Sequence, residues 1–521
     1  MQYDYIIVGA GAAGCVLANE LSKGTATVLL LEAGGPDRNP NIKIPAAFSK
    51  LFESAEDWNY RTVPQEELGG RELYWPRGKV LGGSTSMNAM IYQRGHRATF
   101  DMWAADGCEG WSYQDMLSIF IRQEDQQRGA SSHHGAGGPL SVSDLRDVNP
   151  LTSAFVDSAV AAGFPHNADF NGESQDGFGL YQVTQKRGVR NSAATAFLKP
   201  VLRRKNLTAV TRAHVTRVVI EGDRAVAVEY IDKSGEQTAS ATSEIILSGG
   251  AVNSPQLLML SGVGPASHLR DHGIDVVADS PAVGQNLQDH AAIALAAEVN
   301  RPVSLAHAET PKQFLKYLTK REGMLSSNVG EAGGFVTLGG GPIPDTQFHF
   351  APAYFINHGF DSPESDGLTI APVLVDVKSR GEIRLQSAKP TDAPLIDPRY
   401  LSDPEDLRIM VEGIKLARQI AARPPIAEFI TSEFLPGAHA TSEADLQDFV
   451  REYMESLYHP VGTCAMGAGY ESVVDPQLRV RGVQGLRVAD ASIMPTIVNA
   501  NTQAASMAIG GRAAEWIRAG A

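Results

Sequence analysis

The sequence predicts an α/β fold, α+β overall, in which a βαβ sheet opens the chain and a second unit is built on a β-sheet flanked by helices. Three observations lead there. A glycine-rich turn joins the first apolar strand to the first helix, a strand-rich stretch from 206 to 247 ends on another glycine turn, and residues 301–450 mix helical and strand patterns. In the first, Ile6-Ile7-Val8 runs into Gly9-Ala10-Gly11-Ala12-Ala13-Gly14, and 18 positions beyond Gly14 the run Val28-Leu29-Leu30-Leu31 ends in Glu32 followed by Ala33. Gly9 permits the tight turn, Gly11 lets the backbone approach a pyrophosphate, and Gly14 lets the helix close on the strand, with the helix N-terminus facing the anion. A carboxylate at Glu32 suits ribose hydroxyls and disfavours a 2′-phosphate. Strand, turn, helix, strand and acid in this order read as a Rossmann-like dinucleotide site, and the motif alone leaves FAD and NAD both open.

Next along the chain, Asp37 to Pro76 carries Trp58, Tyr60 and Trp75 among prolines and charges and reads as an extended excursion from the sheet. Lys79 to Asn88 is a glycine-serine turn leading into Ala89-Met90-Ile91-Tyr92, where small residues let backbone pass a planar ligand. Gly129–Gly138 reads as a loop, with His133 and His134 as solvated residues rather than metal ligands. Strands are expected over 207–210, 215–221, 225–230 and 244–247, the last opening onto Ser248-Gly249-Gly250-Ala251 and a helix from Ser254 that rejoins the first sheet. The later part is expected to hold a helix over 405–422, strands near 346–350, 383–386 and 486–490, and a closing helix over 504–518.

Composition narrows the classes. Apolar residues at 43% supply large cores across 521 residues, so two or three folding units are expected. With 45 basic and 59 acidic residues the formal charge is −14, and no basic block interrupts it, which disfavours nucleic acid and anionic membranes as partners. Cys15, Cys108 and Cys464 form no close pair, arguing against a disulfide framework and for a reducing cytoplasm. The first strand starts close to Met1 with no cleavable apolar segment, and no apolar run is long enough to span a bilayer.

Four further segments carry a resemblance. Gly78 to Asp101 and Gly250 to Gly264 resemble the two signature segments of the glucose-methanol-choline (GMC) flavoprotein oxidoreductases. Tyr458 to Cys464 and Val488 to Ser492 with Asn501-Thr502 are similar to that family's C-terminal active-site segments. The likeness runs from residue 3 to the end, and Asp169-Phe170-Asn171-Gly172 with Tyr181-Gln182 is most similar to bacterial alcohol and sorbose dehydrogenases. It implies FAD rather than NAD, and a discontinuous FAD-binding domain over 1–155, 190–300 and 455–521 with a substrate-binding domain over 156–189 and 301–454.

By the same resemblance, Gly9, Gly11, Ala12, Ala13, Gly14, Glu32 and Ala33 would hold pyrophosphate and adenosine, with Val215 at the adenine. Val80, Gly83, Asn88, Ala89, Met90 and Ile91 would pass the isoalloxazine, Trp58 would touch it or serve as plain core, and Asp490, Ala491, Asn501 and Thr502 would close the ribityl and pyrimidine side. Some relatives attach FAD through a histidine in the glycine-serine segment; Met87 stands at that position here, so the FAD is expected to be noncovalent. The Asn286 to His290 stretch is similar to a turn between the family's domains, with His290 structural. Cys15 and Cys464 are read as packing.

Chemistry selects the reacting groups. Hydride transfer from an alcohol carbon to flavin N5 needs the hydroxyl proton removed, a task for a group titrating near neutrality. His459, among 13 histidines, follows an aromatic residue and precedes Pro460 and a Gly-Thr-Cys turn, which makes it the expected base. The family's second position falls on Asn501 as partner of the substrate oxygen, or on Asn499 if the register slips. Phe335, Phe348, Phe350, Tyr354, Phe355, Leu457 and Val461 are the expected lining, suited to benzylic, furanic or aliphatic alcohols; His349, Asn357 and His358 would favour polyols if they face the cleft. The acceptor is O2 or a quinone-like or dye-like molecule. A lyase or decarboxylase on the same scaffold is the alternative activity, and a noncatalytic FAD-binding protein is disfavoured by the presence of His459 and Asn501.

Overall fold

The computed structural model describes residues 1–361 and 363–520. Its first sheet has the strand order 207–211, 28–32, 2–8, 235–247, 224–232 and 214–221, with Leu486–Val488 added beside 235–247. Strands Gln2–Val8, Val28–Glu32, Leu207–Thr211 and Leu486–Val488 run parallel to their neighbours, whereas 214–221, 224–232 and 235–247 form an antiparallel ribbon. The helices explain the parallel part. Ala12–Leu21 and the closing helix Gln503–Ala519 are largely buried, and Gly510 lets them touch, since a Cβ there would lie 2.6 Å from the Ala13 carbonyl oxygen. Strands covered on both faces read as continuous apolar runs, as Val28 to Leu31 does.

A second sheet has the order 430–435, 295–299, 367–374, 346–351, 332–336 and 177–180, with Ala291–Ala292 and Glu455–Ser456 paired at one end. Helices Pro150–Ala161 and Pro404–Ala421 cover one face and share a core with Phe178, Phe348, Phe350 and Ile370. From its other face His349, Ala351, Thr369 and Ala371 line a cavity.

Several expectations shift at this level. Residues 291–299 and 455–456, expected in the first unit, pair into the second sheet. Their short runs carried no mark of which sheet would take them. The Asp37–Pro76 excursion contains the helix Pro40–Lys43 and the 3-10 turns Pro45–Leu51 and Glu66–Leu68. His134 is not solvated: its Nδ1 lies 3.1 Å from Glu124 and its Nε2 2.9 Å from Asp169, while Arg94 donates to Glu124 at 2.6 Å. Side-chain hydrogen bonds from Asp169 and Glu124 outweigh burial, the largest influence and an opposing one, and lift His134 to about 9. A histidine with two carboxylates is buried as a charge, which composition could not reveal.

Candidate functional site

One cavity of about 600 Å³ extends from the glycine turn of the first strand to His459. Its turn end is backbone held too close for side chains. Gly9 has φ +100°, and a Cβ on it would stand 2.4 Å from the Ser248 carbonyl oxygen; a Cβ on Gly14 would stand 1.9 Å from the Gly9 oxygen. Gly83, at φ +53°, presses on Gly11, where a Cβ would meet the Gly11 Cα at 2.8 Å. The turn is therefore a cradle that any larger residue would fill.

Glu32 closes this end. Its two carboxylate oxygens each accept a 2.8 Å bond, from the Ala10 and Gly34 amides. Burial raises its pKa to about 7 against the pull of those amides. Ala12, Ala13, Ala33 and Val215 line the cavity with it. Trp58 joins them, stacked on Tyr60 at 5.6 Å with the Lys79 ammonium 4.4 Å from its ring.

Further along, Gly83, Asn88, Ala89, Met90 and Ile91 form one wall. Met90 has φ +59°, an unusual state for a side-chain-bearing residue, and Asn88 supports it by accepting from the Met90 amide at 3.1 Å. Val80 does not face the cavity: its side chain is buried with Ile42, Phe48 and Met87, while its backbone bridges to Gly35. Opposite, Asp490, Ala491, Asn501 and Thr502 contribute. The Asp490 carboxylate is engaged by the Gly250 amide at 2.8 Å, the Ser254 hydroxyl at 2.6 Å and the Ser492 amide at 2.8 Å, which ties the helix Gly250–Leu260 to the C-terminal segment.

At the far end, a ladder of hydrogen bonds fixes Asn501 and His459. Tyr181 donates to the Phe348 carbonyl at 2.6 Å, so its oxygen accepts from Gln347 Nε2 at 3.1 Å. The same Gln347 nitrogen donates to Asn501 Oδ1 at 3.1 Å, leaving Asn501 Nδ2 to face His459 Nε2 at 3.4 Å. An amide nitrogen only donates, so His459 Nε2 carries the lone pair and Nδ1 the proton. That proton is shared with His290 Nδ1 at 2.9 Å. Asp289 positions the loop: it accepts from the His459 amide at 2.6 Å, from the Ser456 hydroxyl at 2.5 Å and from Tyr400. Burial drives the His459 pKa well below 6.5, assisted by neighbouring His290, His349 and Arg77, and takes His290 to about 3 and His349 to about 4. All three imidazoles are neutral at pH 7.

Asn501, and not Asn499, stands beside His459; Asn499 is bonded to Thr99 and to the Pro344 carbonyl. His290, expected as structural, touches His459. Gln347 was absent from the sequence-derived site, and its only signal was strand alternation. In Thr346–Ala351, Gln347, His349 and Ala351 point to the cavity side while Phe348 and Phe350 enter the helix-covered core, Phe350 stacking on Phe155 at 4.6 Å. Phe348 and Phe350 are thus not lining residues. Neither is Phe335, which packs on Phe170 at 5.4 Å, nor Tyr354, which packs on Phe434 at 5.7 Å, nor Val461, buried in the main core. Leu457 and Phe355 do line the cavity, with Ala292, Ala294, Val329 and His349. His358 and Asn357 also face it, yet His358 is committed to the Tyr458 hydroxyl at 2.5 Å and Glu455 at 3.1 Å, and Asn357 to Asp361 at 3.0 Å. Cys464 and Cys15 are buried thiols pushed above the usual range by burial, as packing residues are.

A dinucleotide cradle continuous with a neutral, buried imidazole is the architecture of a flavin-dependent oxidoreductase, and the cradle, acid and small-residue wall fit FAD. Known proteins agree. GMC oxidoreductase models match residues 3–292 and 377–510. The sequence is 48% identical to the alcohol dehydrogenase (acceptor) of Pseudomonas putida, over 99% of this chain and 96% of that one. It is 44% identical to the mitochondrial choline dehydrogenase of Homo sapiens, over 99% and 90% of the two chains. The fold matches the crystal structure of pyridoxine 4-oxidase from Mesorbium loti with TM-score 0.92 and 32% identity, over 99% of each chain. The chain belongs to the GMC oxidoreductase family and is an FAD-dependent alcohol oxidoreductase. These relatives are named dehydrogenases and an oxidase, and the lyase alternative has no support among them.

Proposed function

We propose that the chain oxidises a primary alcohol with an apolar body to the aldehyde and passes the electrons to an acceptor other than O2, with His459 as base and Asn501 as partner of the substrate oxygen. The observation that carries this is the tautomer: the ladder from Tyr181 through Gln347 and Asn501 leaves His459 with an unprotonated Nε2. Bound FAD supplies a two-electron acceptor for hydride. The protein does the rest. His459 Nε2 takes the hydroxyl proton, and Asn501 Nδ2, released from His459, donates to the oxygen as negative charge develops on it. His349, whose Nε2 is buried without a partner among the described residues, supplies a second polar contact.

The apolar reading follows from the lining: Ile91, Ala292, Ala294, Val329, Phe355 and Leu457 line the cavity, and of the groups that would read a polyol Asn357 and His358 are already bonded to protein, which leaves His349 alone. Noncovalent FAD is supported by Met87, whose thioether makes no such linkage and is buried against Phe48 and Phe52. The dehydrogenase reading rests on the relatives' names, and a reducing compartment such as the cytoplasm suits three unpaired, buried thiols. No helix among the described residues is long and apolar enough to cross a membrane.

The test is anaerobic mixing of the purified yellow protein with aliphatic and aromatic primary alcohols and with polyols, followed by air. Bleaching by the apolar alcohols, with slow recolouring that a quinone or dye accelerates, is expected. Bleaching by polyols alone overturns the substrate reading, and rapid recolouring in air overturns the acceptor reading.

A further inference from the structure

Helix Pro311–Lys320 is built the wrong way round for a soluble surface. Tyr317 is buried, donating to the Lys43 and Gly188 carbonyls at 3.1 Å each, and fixes which side faces the protein. The opposite side presents Phe314, Leu315 and Leu318, exposed by 48%, 62% and 52%. At helical spacing these three, with Pro311, form one stripe turned to solvent, where polar residues belong. Charges border it: Lys312, Lys316, Lys320 and Arg321 are four cations with no acid between 311 and 321, in a chain of net charge −14. Lys316 is paired with Asp147 at 3.1 Å, whereas Lys312 and Lys320 form no ion pair among the described residues. The overall charge that argued against an anionic membrane therefore does not describe this segment.

We propose that this helix docks the protein in the plane of an anionic lipid surface, its Phe314–Leu315–Leu318 stripe entering the apolar boundary and its lysines meeting headgroups. An exposed apolar stripe rimmed by cations is the form of an interfacial helix. A second copy of the chain fits the face poorly. Two-fold pairing would set the cationic rims against one another, and three side chains fall far short of the roughly 800 Å² per partner of a stable interface. Position adds a purpose. The turn Pro45–Leu51 lies under the helix, with Ile44 and Ala46 against Ala308, Tyr317 and Leu325, while Phe48 of that turn lines the cavity. One layer of structure thus separates the docking face from the site, placing the cavity beside a reservoir of apolar alcohols and lipid-soluble acceptors. The inference does not depend on the assignment of His459.

Flotation of the FAD-loaded protein with vesicles of phosphatidylcholine alone, and of phosphatidylcholine mixed with phosphatidylglycerol, tests it. Binding to the mixed vesicles is expected, weakened by added salt, and lowered at least about tenfold by the double variant Leu315→Glu/Leu318→Glu. That variant is expected to keep its flavin spectrum and its turnover of a water-soluble alcohol, which separates lost docking from lost folding. No flotation of the wild type with mixed vesicles, or equal flotation of the double variant, overturns the proposal. So does sedimentation velocity showing a wild-type oligomer that the double variant dissociates, since the face would then belong to a second copy.

Discussion

The two ends of the cavity are made of different material. At the glycine turn the wall is backbone from short local segments, and its shape follows from which residues lack a Cβ: Gly9, Gly14 and Gly83 each sit where a methyl would collide with main chain. At the histidine end the wall is side chains from segments far apart in sequence, with Tyr181, His290, Gln347, His459 and Asn501 meeting through single hydrogen bonds. The first kind of site is a property of a motif. The second is a property of the fold, because each member's role depends on the orientation its neighbour imposes.

Substitutions should separate the two. The largest effect is expected at His459: His459→Ala should keep a normal flavin spectrum while flavin reduction by alcohol slows about 100- to 10,000-fold, measured by anaerobic stopped flow. At the turn end, Gly9→Ala should act on the cofactor instead. Its Cβ would meet the Ser248 oxygen at 2.4 Å at a φ of +100°, so the protein should purify with little or no FAD and a lower melting temperature. Both results together would show that one end binds and the other reacts; flavin loss in His459→Ala would blur the distinction.

Smaller effects sharpen it. Gln347→Leu removes the donor that holds Asn501 and leaves its Oδ1 unpaired, a change of about 1–2 kcal/mol, or roughly tenfold in kcat with KM little altered. A loss confined to KM would assign Gln347 to packing. Glu32→Gln replaces one acceptor by a donor facing the Ala10 or Gly34 amide, and FAD affinity should fall about tenfold in fluorescence titration while kcat at saturating FAD stays unchanged.

The same division governs what could be read in the sequence. The turn, its acid and the strand pattern over 207–247 were legible because a local spacing dictates a local shape. His459 and Asn501 were reached through motif position. Their geometry was not, since Asn499 and Asn501 differ only in which neighbours the fold brings to them. The substrate lining was misread at Phe348 and Phe350 because the alternation of Gln347 and His349 with the two phenylalanines defines two faces without saying which one the helices cover, and large aromatic residues drew attention to the helix-covered face. Gln347, on the cavity side of that strand, carried only its place in that alternation as a mark. Asp289 and His290 were visible as a turn, but nothing in 286–290 announces contact with a loop some 170 residues later.

The central claim is that His459 is a neutral base waiting in a buried site, and the pH dependence of anaerobic flavin reduction by a primary alcohol tests it most directly. Protonation of His459 removes the base, and burial holds its pKa well below 6.5, so the rate should stay level as pH falls through 6.5 and decline only well below it. In His459→Ala that acid limb should vanish from the residual rate. A wild-type rate that already falls with an apparent pKa at or above 6.5, or an acid limb that persists unchanged in His459→Ala, would contradict the account.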